Sequence, residues 1–185
     1  VTCTFVNAHT VTGRVEKTTR GGNGTFTYDL WVNPQTPAGP PNLSVPLTVT
    51  NATPTSPGQQ SFVQEFPSSG TGTFRLQERL QDGWQLTSLG CTLQGTTGSI
   101  TVNSTDLATG TLDATVAAGS DILCRATNVR VPHITIRKES YGDDGSFEFT
   151  GGTNGLPGSL ILTTSGSGSP SAATSSPYQI ADVTA

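Results

Sequence analysis

The sequence repeats itself at a fixed distance. Cys3 and Cys124, Asn7 and Asn128, and Lys17 and Lys138 each stand 121 residues apart. The agreement runs without a gap through GGNGTFTY at 21–28 and GDDGSFEF at 142–149, where Gly21, Gly24, Phe26 and the aromatic at 28 all recur. Self-similarity at such a period is the mark of a repeat architecture. It also divides the chain. Residues 1–10 read as the last strand of a preceding repeat, 11–131 as a complete domain, and 132–185 as the first part of the following repeat. A weaker match follows after a deletion: LTVT at 47–50 against LILT at 160–163, then VQEF at 63–66 against IADV at 180–183.

Within the repeat the pattern is that of strands. In GTFTYDL, Phe26, Tyr28 and Leu30 share a face; in TFRLQERL, so do Phe74, Leu76, Glu78 and Leu80. PNLSVPLTVT carries two prolines, which places it at a sheet edge or a bulge. NPQTPAGPPN at 33–42 and NATPTSPGQQ at 51–60 read as loops. About seven strands in 120 residues predict an all-β sandwich. Only 12% of residues are charged, and the seven arginines are scattered, so no basic groove for nucleic acid is expected. No apolar run is long enough for a membrane-spanning helix.

The two lysines occupy equivalent positions of the repeat, and every other cation is arginine. By strand parity Lys17 lies on the face of Val15, Asn128 on the face of Cys124 and Ala126, and Glu78 on the face of Phe74 and Leu76. All three therefore point to the core, where an ammonium and a carboxylate are costly unless paired. Burial lowers a lysine pKa and raises a glutamate pKa. A neutral Lys17 amine can then attack the Asn128 amide carbon while a protonated Glu78 polarises the amide oxygen and shuttles the proton. Ammonia leaves and an amide joins the first and last strands. The same residues also fit a plain buried Lys17–Glu78 ion pair beside an asparagine.

The stretches GRVEK and TIRK, FRLQERLQDGWQLTSLGC, and CTFVN with CRATN resemble the Cna protein B domain, the prealbumin-like repeat of bacterial surface proteins. The resemblance covers the whole chain. It implies an immunoglobulin-like (prealbumin/Cna B-like) sandwich, an extracellular, cell-surface stalk and a Lys–Asn isopeptide bond. Carried onto this sequence, Lys17 is the amine, Asn128 the acceptor and Glu78 the acid. Lys138 and Asn7 belong to bonds with neighbouring repeats. CRATN has Ala126 where CTFVN has Phe5, a departure that bears on the packing around Asn128.

Three cysteines are an odd number, but the repeat resolves it. Cys91 and Cys124 fall in one domain and are expected to form a disulfide, while Cys3, the equivalent of Cys124, pairs outside the chain. A pair of buried thiols is the alternative. A disulfide implies an oxidising compartment.

The remaining signals carry little. GGNG at 21–24 joins two strands and lacks the helix a phosphate loop needs. His9 and His133 do not coincide under the 121-residue offset and read as linker residues. Asp143 and Asp144 read as a solvated turn rather than a calcium site, and no metal or cofactor is expected. Asn23, Asn42, Asn51 and Asn103 lie in glycosylation sequons, which a Thr-rich chain produces by chance. The expected function is a structural segment of a tandem-repeat fibre, pilus or adhesin stalk, not an enzyme. Its partners are neighbouring repeats or subunits, either continuous in one polypeptide or joined by residues 1–10 of one subunit adding to 132–185 of the next. A glycan- or protein-binding module is the alternative.

Overall fold

A computed structural model describes residues 9–33, 39–50, 56–66, 70–152, 157–165, 171–174 and 178–179. The chain forms two units, 1–130 and 131–185. The first contains β1 (His9–Arg20), β2 (Gly24–Val32), β3 (Leu43–Val49), β4 (Gly58–Phe66), β5 (Thr71–Glu78), β6 (Trp84–Gln94), β7 (Ile100–Asp106), β8 (Thr111–Ala117) and β9 (Asp121–Arg130). These make two sheets, ordered β4-β1-β9-β6 and β3-β2-β5-β8-β7. The strands of the first sheet pair antiparallel except β1 and β9, which run parallel.

Among the described residues of this unit nine strands stand where about seven were expected. Part of the difference is β7, exposed from Thr101 to Asp106, which leaves no alternation of buried and solvent positions to read. Proline falls where its missing N–H is tolerated, since Pro46 lies on the edge strand β3.

The inner faces of both sheets contribute to one buried cluster. Val11, Val15, Leu86 and Ile122 come from the first sheet, and Phe26, Leu30, Phe74, Leu76 and Leu112 from the second. Full burial of such a side chain stabilises by about 1.5–3 kcal/mol. On β1 the inward series is Val11, Gly13, Val15, Lys17 and Thr19. Gly13 is required by packing: a Cβ there would come within 2.6 Å of Phe62 Cζ and 2.7 Å of Ile122 Cγ1. Leu80 departs from its expected face. Strand β5 ends at Glu78, the Arg79 N–H donates to the Thr27 carbonyl, and Leu80 is 45% exposed.

The second unit contains β10 (His133–Ile134), β11 (Arg137–Ser140), β12 (Ser146–Thr150), β13 (Ser159–Thr163), β14 (Ser171–Thr174) and β15 (Tyr178–Gln179), paired β10–β15, β11–β14 and β12–β13. Phe147 pairs with Leu162 as Phe26 pairs with Leu47, and Lys138 with Ala173 as Lys17 with Gly58. The later strands thus correspond at an offset of 115. Aligning LTVT with LILT puts Leu47 on Leu160, two residues off. A slip of two preserves which face each side chain takes, so the hydrophobic pattern alone does not detect it. IADV at 180–183, and residues 1–8 with Cys3 and Asn7, lie outside the described residues.

Candidate functional site

Four buried polar side chains meet across the core. Lys17 comes from β1 and Asn128 from its parallel neighbour β9, where Thr19 is the register partner of Asn128. Glu78 ends β5 in the opposite sheet, paired with Tyr28 of β2. Lys17 and Glu78 are 0% exposed, Asn128 and Tyr28 1%.

Glu78 is the hub. Its Oε2 accepts from Lys17 Nζ at 2.5 Å and from the Tyr28 hydroxyl at 2.6 Å. Its Oε1 accepts from Asn128 Nδ2 at 2.5 Å. The sequence alone assigned Glu78 to polarise the amide oxygen. In the structure its Oε1 accepts from the amide nitrogen instead. Asn128 Oδ1 is buried without a hydrogen-bond partner among the described residues. An orphaned buried acceptor costs about 1–3 kcal/mol.

Burial makes Lys17 easier to deprotonate than a lysine in water. Burial lowers its pKa from 10.5 to about 8, against the opposing charge and hydrogen bond of Glu78. Phe26 lies beneath the ammonium, its ring centroid 4.3 Å from Nζ, and packs edge-on against Trp84. Tyr28 is shifted the other way: burial, the Glu78 charge and their hydrogen bond raise its pKa well above 10, so it remains a hydroxyl donor.

The backbone of Glu78 is held as well. Its N–H donates to the Gly110 carbonyl at 2.9 Å. Gly110 has φ +70°, and a Cβ there would collide with the Glu78 carbonyl oxygen.

Next to Asn128 on β6, Leu86 is the register partner. Four residues earlier on β9, Cys124 faces Cys91 of β6 and is joined to it by a disulfide. Strand β9 thus carries a covalent tie to β6 and the amide that meets the same Glu78 carboxyl group as Lys17 of β1.

In the second unit Lys138 Nζ lies 4.2 Å from the Phe147 ring centroid, matching Lys17 over Phe26. Tyr28 is the site residue that the sequence pattern did not single out. Its inward face was legible, but not the carboxylate that its hydroxyl meets across the β2–β5 pair. The histidines are peripheral: exposed His9 opens β1 and exposed His133 opens β10. Among the sequon asparagines, Asn23, Asn42 and Asn103 are exposed, and Asn51 lies outside the described residues. No metal-binding group of His, Cys, Asp or Glu occurs among the described residues.

A family model described as the prealbumin-like fold domain matches residues 14–130. No curated protein and no solved structure matches the chain.

Proposed function

The chain belongs to the prealbumin-like fold domain family, and we propose that it is a structural segment of an extracellular surface fibre, pilus or adhesin stalk. The observation that carries this reading is the buried contact of Lys17, Glu78 and Asn128. In the proposed reaction Lys17 Nζ passes a proton to Glu78 Oε2, and the freed lone pair attacks Asn128 Cγ. The Cγ–Nδ2 bond breaks. Nζ goes from three hydrogens to one, and both protons reach Nδ2 through Glu78, so the nitrogen leaves as ammonium. The carboxyl both receives and delivers protons, which requires it to turn between Nζ and Nδ2.

Such a bond ties β1 to β9, the first and last strands of the domain. Tension entering at β1 and leaving at β9 then crosses the amide and bypasses the rest of the sandwich. A stalk needs that property, whereas an enzyme or a ligand-binding loop does not. The disulfide fits an oxidising compartment and so supports the extracellular setting. The recurrence of the Lys138–Phe147 contact supports tandem repetition, with neighbouring repeats as partners and with Lys138 and Asn7 serving bonds in those neighbours.

Single-molecule extension tests this reading. In the wild-type chain, residues 17 to 128 should stay unextended, withholding on the order of 370 Å of contour length. Glu78→Gln, which cannot shuttle the proton, should release that length apart from the segment held by the disulfide. Wild-type domains that extend as far as Glu78→Gln would refute the proposal.

A further inference from the structure

Tyr28 donates to the carboxylate oxygen on which the Lys17 proton must land. Its hydroxyl is 2.6 Å from Glu78 Oε2, and Lys17 Nζ is 2.5 Å from the same atom. We propose that Tyr28 is a positioning residue that restrains cross-linking, holding Glu78 in the ion-paired arrangement and slowing the reaction between Lys17 and Asn128. This rests on the cross-link reading above.

The direction follows from comparing the resting and reacting states. At rest, Glu78 is a carboxylate accepting three hydrogen bonds, two of them at Oε2. When Oε2 takes the lysine proton, its charge is lost and the Tyr28 hydrogen bond must weaken or reverse. Hydrogen bonds to an ionised acceptor are roughly twice as strong as neutral ones. An interaction stronger in the ground state than in the transition state raises the barrier. Tyr28 also opposes the second requirement. The carboxyl must turn to deliver its proton to Nδ2, and a hydroxyl anchored on Oε2 resists that turn.

The hydroxyl is not needed for the strand pairing at this position. At the position equivalent to Tyr28 the second unit carries Phe149, which pairs with Leu160 of β13 as Tyr28 pairs with Val45 of β3. Lys138 still lies over Phe147 there. The paired strands therefore accommodate either ring at this position.

The test compares the rate of cross-linking in wild type and Tyr28→Phe. Full chain is made by cell-free synthesis into denaturant, diluted to refold under oxidising conditions, and followed by intact mass for loss of one ammonia. Tyr28→Phe should lose ammonia roughly threefold to tenfold faster than wild type, matching the weakening of a single charge-assisted hydrogen bond. An equal or slower rate in Tyr28→Phe, with wild type cross-linking normally, overturns the restraint and leaves the cross-link reading intact. Loss of ammonia from neither chain, with both folded, overturns both. Incorporation of 3-fluorotyrosine guards against a folding defect in the phenylalanine variant. Its more acidic hydroxyl is a stronger donor in an almost unchanged ring, so it should slow cross-linking; an unchanged or faster rate counts against the restraint.

Discussion

At the scale of single residues, the unusual element is a lysine with no access to water. Removing an ammonium from water costs several kcal/mol, and the pairing with Glu78 offsets only part of that. The lysine pKa of about 8 expresses the remainder. The sign of its effect on stability follows. Between about pH 8 and 10.5 an unfolded lysine holds its proton while the folded one has released it, so stability rises with pH in that window. Tyr28, with its raised pKa, adds the opposite slope only above pH 10. In Asn128→Ala, where Lys17 stays a free amine, denaturant unfolding should show stability rising from pH 8 to pH 10 by on the order of 1–2 kcal/mol. The wild-type protein, with Lys17 converted to an amide, should lack that rise. Equal slopes in the two proteins would mean that Lys17 titrates in both.

At the scale of elements, strand β9 organises the site. It lies between β1 and β6 and faces β5 across the core, so it sets the register of the amide, the disulfide and the carboxylate together. Removing the disulfide by Cys91→Ala with Cys124→Ala should lower stability by about 3 kcal/mol, read as a shift of the denaturant midpoint. Gly13→Ala should cost about 1–3 kcal/mol through overpacking against Phe62 and Ile122. A midpoint unchanged by Gly13→Ala would show that β1 can shift away from β4 and β9. Parity along single strands makes Lys17, Glu78 and Asn128 legible as core residues in the sequence, because each sits two positions from an apolar neighbour. Parity does not reach what depends on pairing between strands. The Tyr28–Glu78 contact, the amide nitrogen on Oε1 and the two-residue slip between LTVT and LILT are all cross-strand facts. Leu80 escapes it for a different reason: the alternation continues in sequence past the point where Arg79 turns the backbone towards Thr27.

At the scale of the whole molecule, the proposed covalent link between Lys17 and Asn128 would convert a sandwich into a mechanical segment. The apolar core and the disulfide would serve a domain of any function. The buried amine, acid and amide would be a destabilising choice without a reaction to justify them, because well-packed apolar residues in place of a buried ion pair are often neutral or stabilising. Intact mass of the folded, reduced protein is the most direct measurement. The expected wild-type mass is short of the sequence mass by one ammonia, with the full mass restored in Glu78→Gln. A folded wild-type protein carrying its full sequence mass would contradict the cross-link.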